Sequence, residues 1–254
     1  MIIRILPEVT VIYLLIFARV GSSMMLMPAL GETAILVQAR LGFALMTTLI
    51  LYPLVAKTYP PGLSRDFSRL LVYLAGELAV GLAIGLAGRL VLAATQVAGT
   101  VIANQLGLGF AMSVDPTQGQ QGVIFGNFLS VLAVAMIFIT DLDHLALAGA
   151  TSSFQLFPPG DWLPVGDFAK ASVIMVGEAF QIGIQMSAPF LAFGLVFQLG
   201  LGVLSKLMPQ FQIYFAAMPL NIGAGMVLFS ILIVTVMVWY MDHVRDGLAR
   251  LVPH

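Results

Sequence analysis

Between Leu207 and Met241 the chain runs for 35 residues without a charged side chain, and the preceding stretch, Ala171 to Ser205, carries only Glu178. A helix crossing a bilayer core needs about 20 residues. Each stretch is therefore too long for one simple span and too short for two spans with a loop. Pro189, Pro209, Pro219, Gly223 and Gly225 interrupt them, which predicts bent helices joined by a tight turn near Lys206–Pro209.

The rest of the chain obeys the same constraint. Only 9% of the 254 residues are charged, against about 25% in an ordinary soluble domain. The mean hydropathy is +1.02. The apolar residues come in long blocks, whereas a transmembrane barrel would show short alternating segments. The fold class is thus an all-α membrane protein of kinked and broken helices arranged as helical hairpins. Further apolar segments run over Val9–Leu30, Ala34–Ala56, Leu70–Thr95 and Val123–Thr140, with a shorter apolar piece at Leu145–Phe157, for about six hydrophobic segments of spanning length in all. The N-terminal stretch reads as a retained first helix. One integral membrane domain is expected over residues 1–254. Lys57, Arg65 and Arg69 mark the loop at 57–69 as cytoplasmic by the positive-inside tendency. The loop at 158–170, with Asp161, Asp167 and the interfacial residue Trp162, then falls on the opposite side. The tail at 242–254 reads as short and solvated.

Charges within apolar segments are costly and need partners. The structural charges are Arg19, Arg40, Glu77, Arg89, Glu178 and Lys206. Arg19 is read as snorkelling or pairing with a carboxylate. Glu77 and Arg89 lie about three helical turns apart and cannot pair with each other on a straight helix. Each is expected to find its partner on another helix or in another subunit. Between them, Gly81 and Gly85 fit the small-xxx-small spacing that lets helix backbones approach closely, with Gly88 continuing the face.

The stretch from Thr100 to Val123 breaks the pattern. Gly107, Gly109, Pro116, Gly119 and Gly122 permit or force non-helical backbone, and Asp115-Pro116 disfavours helix at Asp115. The break nevertheless contains Leu108, Phe110, Met112 and Val114. Irregular backbone at membrane depth is tolerated only inside protein or beside a watery cavity. An irregular loop at the centre of a membrane assembly satisfies that rule.

Little in the chain suggests chemistry. With no cysteine there is no disulfide or thiolate ligand, and a net charge of −1 makes no case for nucleic acid. No Walker A sequence is present. Asp141, Asp143 and His144 form the densest ligand-like cluster, which reads as a solvated turn because zinc wants a further ligand. Gly107-Leu108-Gly109 resembles the start of an intramembrane aspartyl protease motif, but Phe110 stands where the aspartate must be. The sequence therefore predicts no catalytic, metal or cofactor site. The fourteen methionines read first as core filling, and second as a deformable seal around a conduit.

Three stretches together resemble the flagellar biosynthesis protein FliR family. The first carries Gly99, Gln105, Gly107, Ala111, Asp115 and Pro116; the second Pro209, Gln210, Phe215, Pro219 and Leu220; the third Arg19, Pro28 and Arg40. Lys206 stands where family members often have arginine. The injectisome subunits of the SctT family are similar. The resemblance implies a non-enzymatic subunit of the type III protein export gate in the bacterial inner membrane at the flagellar basal body. Its partners would be FliP and FliQ in a hetero-oligomeric conduit, the FlhB homologue, membrane lipid and, transiently, unfolded exported proteins. It further implies that Gly107, Leu108, Gly109, Phe110, Ala111, Met112, Ser113, Val114, Asp115, Pro116, Thr117, Gln118, Gly119, Gln120 and Gln121 match the family's central loop and plug the conduit. Leu108, Phe110, Met112 and Val114 would fill the pore, and the glycines and Pro116 would let the loop fold inward and yield. A stand-alone secondary transporter using Arg19, Glu77, Arg89 and Glu178 at broken helices is the alternative from another class.

Overall fold

The computed structural model describes residues 2–28, 30–31, 35–108, 121–161, 165–210 and 212–249. Seven α-helices account for most of them: α1 (Ile2–Leu26), α2 (Val37–Val55), α3 (Phe67–Gln105), α4 (Gln121–Ile139), α5 (Leu142–Leu156), α6 (Val165–Leu207) and α7 (Ile213–Ala249). Two short 3₁₀ turns, at 56–58 and 63–65, lie between α2 and α3. Five helices are long and apolar enough to cross a membrane, or up to six spans if α4 and α5 count as one bent span. The all-α membrane class and the number of segments agree with the sequence.

The first of the two overlong stretches lies within one helix, and the second lies within another from Ile213 onward. α6 has 43 residues and encloses Pro189, and α7 has 37 and encloses Pro219. The break between them falls directly after Leu207, near Lys206–Pro209 as expected. The most apolar window of α7 has a mean hydropathy of 2.4, yet only 17% of it is buried by the chain itself. Leu220, Val227, Ile231 and Val234 all face outward. Such a surface needs lipid or another polypeptide as its solvent.

The chain packs as two compact units, one of residues 1–91, 137–176 and 244–254 and the other of 92–136 and 177–243. In the first, Leu15, Ile16, Val20 and Met24 of α1 meet Ala44, Leu51 and Val55 of α2, with Tyr59, Leu63 and Phe154 closing the core. α1 and α3 run parallel and very close. A Cβ on Gly81 would fall on the Arg19 carbonyl and the Ser22 hydroxyl, one on Gly85 would lie 2.6 Å from the Ser23 carbonyl, and one on Gly88 would lie 2.8 Å from the Pro28 ring. Lipid tails are as apolar as leucine, so helices gain little by hiding greasy faces from lipid; close backbone packing has to supply the attraction. The glycine spacing read from the sequence therefore serves the contact it suggests.

In the second unit α3 and α4 form an antiparallel hairpin. Thr95 Oγ1 and Ser130 Oγ are 2.6 Å apart, Gln96 Nε2 donates to Ser130 Oγ at 2.9 Å and to Asn127 Oδ1 at 3.3 Å, and Gly99 faces the Gly126 backbone. Phe125, Phe128 and Phe190 surround Phe229, with ring centroids 5.3 to 6.0 Å away.

One expectation is overturned. The C-terminal segment is no solvated tail, because α7 continues to Ala249. The His243 ring lies tilted against Trp239, with centroids 4.1 Å apart, Val244 and Leu248 are fully buried, and Gly247 backs onto Val91. The charges there mislead: Asp242, Arg245 and Asp246 occupy one exposed face, and the apolar residues recur at helical spacing on the other.

Candidate functional site: the root of the central break

The break in the apolar pattern falls in the sequence between α3 and α4. α3 ends at Gln105 and α4 begins at Gln121. Of the residues assigned to the loop, Gly107 and Leu108 are described, Gln121 is described as backbone in α4, and Gly109 to Gln120 lie outside the described residues.

The end of α3 is built in detail. A helix leaves its last carbonyls without intrahelical donors. Here Leu108 N–H donates to the Ala103 carbonyl and Gly107 N–H to the Asn104 carbonyl, both at 3.1 Å. Gly107 has φ of 80°. This is the Schellman ending, with glycine in the left-handed conformation that other residues avoid. The next carbonyl, of Gln105, takes its donor from another helix: Asn221 Nδ2 of α7, at 3.2 Å. Leu106 beside it is wholly buried. A cavity of about 340 Å³ adjoins this root, lined by Gly107, Phe197, Leu201, Tyr214, Met218 and Asn221 among others. Gly107→Ala should cost about 1–2 kcal/mol, the usual penalty of left-handed backbone for a residue with a side chain. Its Cβ would also lie 3.1 Å from Asn221 Nδ2. Denaturant unfolding of the purified protein in detergent checks this, and an unchanged midpoint would contradict it.

The structural charges separate into a buried knot and scattered positions. Arg19 of α1 and Glu77 of α3 pair at 2.5 Å, with both side chains only 2% exposed. The guanidinium also donates from Nη1 to the Ser153 carbonyl at 3.0 Å and the Phe157 carbonyl at 2.8 Å, and lies 4.3 Å above the Phe154 ring. One arginine thus ties α1 to α3 and to the end of α5. Tyr59, past the end of α2, is buried beside them. Burial first, and the neighbouring Glu77 carboxylate second, push its phenol far above the ordinary range, so it stays neutral. Its hydroxyl faces Glu77 without closing a hydrogen bond of good geometry. Arg89 and Lys206 are exposed, and Arg40 and Glu178 are half-buried. Glu77 did find its partner on another helix, as its isolation in the sequence required.

Asp141, Asp143 and His144 do converge. Their donor atoms all lie within 4.8 Å of one another, on the turn that separates α4 from α5. Asp141 and His144 are 81% and 73% exposed, which fits the solvated turn read from the sequence.

The described residues define an all-α membrane protein in which one buried ion pair ties α1, α3 and the end of α5 together. Comparison with known proteins gives the family. The model of the bacterial export proteins, family 1, matches residues 10–247. The flagellar biosynthetic protein FliR of Caulobacter vibrioides is 37% identical over 91% of this chain and 92% of its own length. That of Bacillus subtilis is 31% identical over 85% of the chain and 83% of its own length. The Yop proteins translocation protein T of Yersinia pestis is 23% identical over 95% and 94%. The chain belongs to the bacterial export proteins of family 1, together with the FliR proteins.

Proposed function

We propose that this chain is a structural subunit of the flagellar type III protein export gate. It is not an enzyme in this reading. The observation that carries the proposal is full-length similarity to FliR proteins, 37% in one of them, against 23% to the Yop translocation protein. The same difference favours the flagellar over the virulence system. Residues 1–254 act as one membrane domain in the bacterial inner membrane at the flagellar basal body. FliP and FliQ homologues complete the conduit and cover faces such as the outward side of α7, the FlhB homologue docks nearby, and unfolded flagellar proteins pass through.

Gly107 to Gln121 act as the plug of that conduit. Support comes from their position in the chain, between the end of α3 at Gln105 and the start of α4 at Gln121, and from their mixture of glycine with Leu108, Phe110, Met112 and Val114. Deleting 107–121 should raise ion leakage through the assembled complex in planar bilayers. Wild-type conductance in the deleted complex would refute the plug role. The transporter alternative needs a polar site free to bind substrate, whereas Arg19 and Glu77 are occupied by each other and by backbone carbonyls. Copurification separates the two. A gate subunit extracts in mild detergent with several different chains, a transporter alone or with copies of itself.

A further inference from the structure

We propose that Gly194, Asn221 and Gly225 are positioning residues that form a socket for the root of the central loop. The socket fixes where the chain leaves α3 and so how closely the plug seats. This rests on the plug reading above, and it adds residues from α6 and α7 that no pattern around the loop marks.

Three consecutive residues are held, each differently. Gln105 lies over Gly194 of α6, where a Cβ would collide with its side-chain amide oxygen. Leu106, wholly buried, lies over Gly225 of α7, where a Cβ would occupy the place of its Cδ2. The Gln105 carbonyl accepts from Asn221 Nδ2, and Gly107 passes directly over that same nitrogen. The bond fixes which way the Asn221 amide points, and its Oδ1 is buried without a partner among the described residues. A buried acceptor left unmet is unfavourable, so Asn221 is not there to satisfy itself. Its placement is explained by the carbonyl it serves. Glycine inside a helix likewise weakens the helix and is explained by the neighbour it admits. A Schellman ending alone would close α3 but would leave its direction to the loop. Contacts from α6 and α7 add a register, so a shift of either helix is transmitted to the loop's first residues.

The test uses the full-length chain assembled with its partners, and two readouts. One is backbone hydrogen exchange at Leu106–Leu108; the other is ion leakage in planar bilayers. Asn221→Asp keeps the size and removes the donor, and Gly225→Val drives a wedge against Leu106. Each should speed exchange at 106–108 by about tenfold or more, as expected when a local structural unit loosens, and each should raise leakage while the partners still copurify. Leu106→Ala placed on Gly225→Val should return both readouts toward wild type, because the wedge then has room; this rescue decides the matter if Gly225→Val alone fails to assemble. Unchanged exchange in both Asn221→Asp and Gly225→Val overturns the socket. Faster exchange without leakage, in a complex that does leak when 107–121 is deleted, overturns the socket's role in sealing and leaves the plug standing. No leakage on that deletion overturns the plug, and with it the sealing role, while exchange still reports whether these residues hold the root.

Discussion

Replacing Arg19 by methionine should destabilise the protein by about 3–5 kcal/mol, the cost of leaving one member of a buried ion pair without its partner. Glu77 would keep its charge in a setting that gives it almost no water, and the Ser153 and Phe157 carbonyls would lose the donor they share. Glu77→Leu should be similarly costly, because it strands the guanidinium. The double variant R19M/E77L should recover much of the loss, since well-packed apolar residues of similar volume can replace a buried pair at little cost. Denaturant unfolding in detergent, read across the four members of this cycle, measures the coupling. If the losses of the two single variants simply add in the double, the pair is not the element that joins α1 to α3.

Gly85→Leu should disrupt the same junction by another route. The atoms that a side chain would meet there are the Ser23 carbonyl and Leu26 Cβ, at 2.6 and 2.7 Å, and neither can swing aside. Helix α3 must then move away from α1, with an overpacking cost of about 1–3 kcal/mol or somewhat more. Gly76, on the same helix, has nothing within 4 Å of its Cβ position. Gly76→Ala should therefore stabilise by about 0.5–1 kcal/mol, through helix propensity alone. Opposite signs for glycine substitutions nine positions apart on one helix would locate the crossing. Equal effects at both sites would mean that helix propensity, and not approach to α1, sets the cost at Gly85.

The features most legible in the sequence are those set by short-range pattern. Long uncharged blocks can only be membrane helices, because no other segment satisfies its own backbone in lipid. The cluster of glycines with Asp115-Pro116 argues for an interruption, because glycine and the residue before proline both disfavour helix. That reasoning delimits the break between α3 and α4 and anticipates the close glycine face at 81–88. It also states that Glu77 needs a partner on another helix. It does not say which one, because 58 residues separate Arg19 from Glu77 in the chain.

Two further features were decided by tertiary packing. The C-terminal segment looks solvated when charges are counted along the chain, yet Val244 and Leu248 share one side of a continuing helix and are buried there. Asn221 lies 116 residues from the carbonyl it serves. It carries no motif, and in an apolar stretch a single asparagine reads only as an interruption. Composition and periodicity determine which segments enter a membrane and where they stop, because those depend on each residue's own transfer energy and backbone freedom. Which side chain closes the last carbonyl of α3, and which glycine admits Leu106, depend on two helices meeting at one depth and rotation, and only the folded chain sets that.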